Sequence, residues 1–202
     1  MINLDKHWKN RGLMTEQKYI ALIDCDSFFV SCERKLNPRL NAKPVCVVSG
    51  SRGCVIARSI EAKEMGIPMG QPLFMAEKEF PNAIYINANH YNYAQISDQV
   101  MSALKQFSPM VEVYSIDEAF VDLTGLSKLY KKNYYDLAKY IRDLIAQEVG
   151  IPVSVGVSRT KTLAKLASDK SKTTEDHVCI AGKCGITKLL KSTEIGEVLS
   201  QG

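Results

Sequence analysis

Three features of this 202-residue chain predict an α/β protein of the α+β kind. Short apolar runs suited to buried strands are spread along the chain, two long stretches have helical periodicity, and acidic residues stand at the ends of strand-like runs. The order fits a split β-α-β sheet with both long helices on one face and a small subdomain inserted after the first strand.

Tyr19 to Ile23 is the first continuous apolar run and reads as a buried strand. Phe28, Phe29, Val30 and Cys32 begin a helix that Asn37-Pro38 ends. Val45 to Val48 is a second strand, turned back by Ser49-Gly50-Ser51-Arg52-Gly53 into Cys54-Val55-Ile56-Ala57 as a hairpin. Ser59 caps a short helix that Gly66 stops, and Pro72 suits the first turn of another up to Phe80. Residues 83–87 form a strand, after which Tyr93, Ile96, Val100, Met101, Leu104 and Phe107 recur at the spacing of one helix face. Residues 111–114 and 119–123 read as two strands meeting at Asp117-Glu118. A second amphipathic helix carries Leu137, Tyr140, Ile141, Leu144 and Ile145, and the strand 153–157 follows Pro152. The basic stretch after it reads as a helix capped by Ser158 or Thr160, with Leu163, Leu166 and Ala167 as its buried stripe.

A hydrophobic fraction of 46% with 24% charged residues suffices for a packed core. No apolar run approaches the roughly 20 residues that span a bilayer, and the chain reads as cytoplasmic. Its six cysteines form no C-x-x-C pair and read as reduced thiols, several of them small hydrophobes in strands. Residues 126–191 hold 13 Lys and Arg against 6 Asp and Glu, so the second half carries the positive charge and favours a polyanion such as nucleic acid.

Asp24 and Asp26, two apart, point to one face of a strand, with Cys25 on the other. Such a pair alone serves turn chemistry more often than metal binding. Asp117 and Glu118 add two acids whose mutual repulsion calls for a cation, and the flanking Ile116, Ala119 and Phe120 argue against full exposure. With Asp24, they suit a two-metal site with ions roughly 4 Å apart, one at an attacking hydroxyl and one at a triphosphate. Arg58, Lys63, Lys161, Lys165 and Lys172 are candidate phosphate partners, although a solvated helix face would explain each lysine singly. Phe29 is either core or the floor beneath a nucleotide sugar, and spacing does not choose between them.

The motifs Ala21-Leu22-Ile23-Asp24-Cys25-Asp26-Ser27-Phe28-Phe29, Gly53-Cys54-Val55-Ile56-Ala57-Arg58-Ser59, Tyr114-Ser115-Ile116-Asp117-Glu118-Ala119-Phe120 and Ser154-Val155-Gly156-Val157-Ser158 closely resemble the Y-family translesion DNA polymerases, most of all the bacterial UmuC branch. The resemblance implies an error-prone polymerase of translesion synthesis and SOS DNA repair. Asp24, Asp117 and Glu118 become catalytic carboxylates that, with the Cys25 carbonyl, hold two Mg²⁺ ions. Phe29 becomes the sugar-selecting gate. Arg58, Lys63 and Lys172 become nucleotide-binding residues, and Lys161 and Lys165 DNA-binding ones. Where many relatives have Tyr and Arg on the finger helix, this chain has Ile60 and Lys63, and Ile60 cannot donate a hydrogen bond.

The implied layout is a polar leader over 1–17, a palm over 18–27 and 89–178, fingers over 28–88, and the start of a thumb over 179–202. A little finger and most of the thumb are expected to be missing, leaving weak, salt-sensitive DNA binding. The implied partners are primer-template DNA and deoxynucleoside triphosphates, with a UmuD-like subunit, RecA and the sliding clamp also in view, and no membrane. Two other readings compete: a cyclase on a similar palm, and a catalytically inactive truncated subunit acting as an interaction protein. Residues 1–13 lack any periodicity that would dock them. Deleting them is expected to leave the melting temperature unchanged in a thermal unfolding scan, whereas a clear drop would show the leader packed on the palm.

Overall fold

The computed structural model describes residues 17–182 and residue 185. The expected leader, residue 17 apart, and the expected thumb start 179–202, residues 179–182 and 185 apart, lie outside the described residues. The elements run β1 (Ile20–Cys25), α1 (Phe28–Leu36), a 3-10 turn (Pro38–Leu40), β2 (Val45–Val48), β3 (Val55–Arg58), α2 (Ile60–Glu64), α3 (Leu73–Glu79), β4 (Ile84–Asn87) and α4 (His90–Phe107). They continue as β5 (Val111–Val113), β6 (Glu118–Asp122), α5 (Leu126–Leu129), α6 (Tyr134–Glu148), β7 (Val153–Ser158), α7 (Lys161–Ser171) and β8 (Val178–Ile180). The expected α/β fold, split sheet and inserted subdomain are all present.

The larger sheet has the order β5-β6-β1-β7-β8. β1 lies at its centre, antiparallel to both β6 and β7. Strand alternation sorts its residues: Ala21, Ile23 and Cys25 join the main core, whereas Ile20 and Leu22 pack with Phe120 and Ala164 on the opposite side. Both faces are covered, which explains why β1 reads as an uninterrupted apolar run. The predicted stripes of α4 and α6 pack on one face, with Tyr93, Val100, Leu104, Leu137, Ile141 and Ile145 in the main core. Tyr140 lies at the stripe's edge and stays partly exposed.

The smaller sheet, β3-β2-β4, pairs β2 antiparallel with β3 and parallel with β4. Val45 and Val47 face the main core, while Cys46 and Val48 pack with Val55, Ala62, Ile67 and Ala76 in a second core. The inserted subdomain is thus joined to the larger sheet by shared apolar packing. Ser59 caps α2 by accepting from the Ala62 N–H, as the sequence predicts. Pro72 stands at the cap of α3, one position before its first turn.

Three features escape the sequence pattern. α5 is one short turn, and β8 is a three-residue strand parallel to β7 that carries the larger sheet to Ile180. α7 lies across the sheet from α4 and α6. Thr160 caps it by accepting from Leu163 N–H, whereas the Ser158 hydroxyl donates to the Ala181 carbonyl. Its buried stripe is Ala164, Leu166 and Ala167, with Leu163 only half-buried. Helix α7 rests directly on β7 at Gly156: a Cβ there would stand 2.0 Å from Ser168 N and 2.4 Å from the Ala164 carbonyl oxygen. These neighbours are helix backbone, which no side-chain rotation can clear. Gly156→Ala is therefore expected to cost at least about 1–3 kcal/mol by overpacking, read as a lower urea midpoint with little change in slope.

Candidate active site

The site begins with strand register. Asp24 of β1 pairs directly with Glu118 of β6 on one side and Ser154 of β7 on the other. Directly opposed residues share a face, with Cβ atoms about 5 Å apart. Asp24, Glu118 and Ser154 therefore form a polar row on the α7 face of an otherwise apolar sheet. Asp117 sits just before β6, where its carbonyl accepts from the Cys25 N–H at 2.9 Å and its Oδ1 from the Ser115 hydroxyl at 2.6 Å. The loop is tied to α4 as well, through a 2.5 Å bond from the Ser97 hydroxyl to the Ile116 carbonyl. Both acids are half-buried, as their apolar flanks predict.

Burial dominates the electrostatics of Asp24, which is only 8% exposed. Desolvation pushes its pKa up to about 6; Lys172, with Nζ 2.7 Å from Oδ2, pulls the other way, and Glu118 and Asp117 push it further up. The lysine does not fully offset the burial and like-charge cost. Glu118 has Lys165 Nζ at 3.7 Å, and that ammonium also lies 4.6 Å over the Tyr114 ring. The Cys25 thiol is buried in the main core and held well above its ordinary range, first by desolvation, and its N–H is given to Asp117, so the backbone carbonyl is the group this residue could offer a cation. Among the described residues no three His, Cys, Asp or Glu form a preformed metal cage. Three hard carboxylates at the edge of an open cleft nevertheless fit Mg²⁺, which completes its shell with water and substrate phosphates.

That cleft, about 730 Å³, lies between the carboxylate row and the smaller sheet. Phe29 lines it while stacking on Tyr93 at 4.7 Å and meeting His90 edge-on at 5.8 Å. Its ring is thus both packed and facing the cleft. Lys63 enters from α2 with Nζ 3.3 Å from Ser27 Oγ. Arg58 also lines the cleft, but it donates to the Ile67 carbonyl at 2.5 Å, and among the described residues its Nε meets no hydrogen-bond partner. Lys161 is not gathered with the others: it pairs with both Glu112 oxygens at 2.6 Å, lies 5.4 Å over the Phe120 ring and lines a separate groove beside β5.

Asp26 lines the same cleft as Asp24, but it is engaged by the Ser154 hydroxyl and His177. Sequence reasoning passed over Ser154, Ser115 and His177. For Ser154 a signal existed, since Ser154, Gly156 and Ser158 alternate with valines along β7. His177 had none, because only the turn after α7 brings it there.

Among the described residues no helix is long and apolar enough to cross a membrane, and the described cysteines are unpaired. Residues 23–169 match the impB/mucB/samB family. The chain is 42% identical to protein UmuC of Salmonella typhimurium over 154 residues, covering 75% of this chain and 36% of that protein. It is 33% identical to DNA polymerase IV of Saccharolobus solfataricus over 184 residues, covering 89% of this chain and 51% of that one. The insertion ternary complex of Dbh DNA polymerase superposes with a TM-score of 0.79 at 30% identity, over 91% of this chain and 54% of that chain. The chain thus spans roughly a third to a half of the length of these relatives. Matching motifs, fold and carboxylate row together place this chain in the impB/mucB/samB family of Y-family DNA polymerases.

Proposed function

We propose that this chain is the palm and fingers of a UmuC-like translesion DNA polymerase, which transfers a deoxynucleotide to a primer 3′ end. The observation that carries the reading is the row of Asp24 opposite Glu118, with Asp117 beside it, on the floor of a cleft that also holds Phe29, Lys63 and Lys172. The palm is assigned to 18–27 and 89–180, two residues past the expected 178 because β8 pairs with β7 as far as Ile180, the fingers to 28–88 and the start of a thumb to 181–202.

Asp24, Asp117, Glu118 and the Cys25 carbonyl would hold two Mg²⁺ ions, which when bound supply Lewis acidity at the primer hydroxyl and charge neutralisation at the triphosphate. Lys172, resting on Asp24, is positioned to turn its ammonium to the phosphates once that carboxylate has another cation. Lys63 offers a second cation from the fingers wall. Phe29 presents its ring to the sugar, and its stacking on Tyr93 keeps it from yielding. Tyr93 is itself anchored by donating to Glu33 at 2.7 Å. Arg58 serves the nucleotide only through the part of its guanidinium not given to Ile67. Lys165 lies next to the carboxylates and Lys161 one turn away, both on the side of α7 that would meet DNA. A cytoplasmic setting and contacts with a UmuD-like subunit, RecA or a sliding clamp belong to the same reading and rest on family resemblance.

Primer extension with Mg²⁺ and deoxynucleotides, run on this chain and on one extended to the length of its relatives, tests the proposal. In the extended chain, Asp117→Asn and Glu118→Gln are each expected to lower incorporation at least about 100-fold with the melting temperature nearly unchanged. Near-parental activity in either variant would remove that residue from the site. Phe29→Ala is expected to raise ribonucleotide insertion relative to deoxynucleotide insertion. If the ring were only core, the variant would instead lose about 3–5 kcal/mol of stability with sugar selectivity intact.

A further inference from the structure

Three side chains able to donate to an anion reach the turn at residues 24–27 from three different elements. Lys172, at the C-terminal cap of α7, stands on Asp24. Lys63, on α2, stands 3.3 Å from Ser27 Oγ. His177, in the turn before β8, places Nδ1 3.1 Å from Asp26 Oδ2. All three line the cleft described above. On the fingers wall Ile60 is 63% exposed and offers no donor at all.

His177 is held far more firmly than an incidental surface histidine. Ser154 Oγ donates to Asp26 Oδ1 at 2.7 Å and lies 3.1 Å from His177 Nδ1, closing a three-residue cluster. An ionised carboxylate only accepts, so the proton shared with Asp26 sits on Nδ1, and Nε2 is the nitrogen available to a ligand. Among the described residues nothing bonds Nε2, and the side chain is 42% exposed. The backbone is fixed from both sides: the His177 N–H donates to the Thr174 carbonyl at 3.3 Å, and its own carbonyl accepts from Val155 N–H at 2.9 Å. Its φ of 52° is left-handed, a conformation that costs a non-glycine residue energy and that these bonds impose. From behind, α6 clamps the neighbouring Asp176: Tyr135 and Lys139 engage its carboxylate and Arg142 its carbonyl.

We infer that His177 is a phosphate-binding residue of this site, its Nε2 meeting the triphosphate of the incoming nucleotide while Asp26 and Ser154 hold the ring. To donate to a phosphate oxygen Nε2 must carry a proton as well as Nδ1, and a ring so protonated would give one charge-assisted hydrogen bond to Asp26 and one to the phosphate. His177 then supplies from the palm side the polar contact that Ile60 cannot make from the fingers. The inference rests on the nucleotide-polymerising reading proposed above.

The test is calorimetric titration of the 202-residue chain with dATP and, separately, with inorganic tripolyphosphate, both in Mg²⁺. The native protein is compared with His177→Asn and His177→Gly, two residues that accept the left-handed backbone and remove the ring. Both variants are expected to bind each ligand about tenfold more weakly, the equivalent of about 1.4 kcal/mol. The ¹⁵N resonance of Nε2 in the native protein is expected to shift as tripolyphosphate is added, which a merely structural histidine would not show. Equal affinities in all three proteins with an unmoved resonance would overturn the inference and leave the polymerase reading standing. His177-dependent binding of tripolyphosphate with no binding of dATP would overturn the nucleotide reading and leave the phosphate site. If the native chain bound neither ligand, both would fall.

Discussion

Hydrogen bonding of β1 along both of its edges is the constraint from which the site follows. Its register with β6 and β7 sets Asp24 between Glu118 and Ser154, and a slip of one residue would turn Asp24 into the apolar space beneath α4 and α6. That cost pins the register. The apolar residues of β1 do this work, since Ala21, Ile23 and Cys25 can be buried against the helices only when Asp24 faces the other way. A strand built for burial thereby delivers two opposed carboxylates to one place.

Opposed like charges destabilise a sheet, and here the compensation comes from α7. Gly156 lets that helix approach β7 backbone to backbone, which sets its height above the sheet. At that height Lys165 reaches Glu118 and Lys172 reaches Asp24. The compensation is incomplete, because burial still holds the Asp24 carboxyl near pKa 6 despite its lysine. A site in this condition has an electrostatic use for further positive charge, which suits the proposed metal and triphosphate chemistry.

The other wall of the cleft is steadied by apolar packing. Val45 and Val47 of the smaller sheet are buried with Val30 and Cys32 of α1 in the same core as α4 and β1. Phe29 occupies the seam, with Tyr93 behind it and the cleft in front. Core and gate are therefore not alternatives for this ring. The packing that makes it look like a core phenylalanine is what would make it a stiff selector.

Most elements of the fold were legible in the sequence because each depends on neighbours within its own segment. The 3.6-residue recurrence in α4 and α6, the cap at Ser59, and the turn of β2 into β3 are local statements, whereas the choice of Thr160 over Ser158 as the cap of α7 was left to the structure. The half-burial of Asp117 and Glu118 was legible for the same reason, from the apolar residues beside them. What periodicity could not settle was which distant groups meet. Lys161, Lys165 and Lys172 are alike as sequence, yet the first turns to Glu112 while the other two reach the carboxylates, according to where each falls along α7. Likewise, Asp26 shares a strand face with Asp24 in sequence, and only the end of β7 and the turn before β8 bring it Ser154 and His177. The sequence by itself determined most of the strands, the long helices and the acids at the strand ends, since these follow from local pattern. Only the tertiary structure decided which cation faces which carboxylate, because that depends on how closely Gly156 lets one helix lie on one strand.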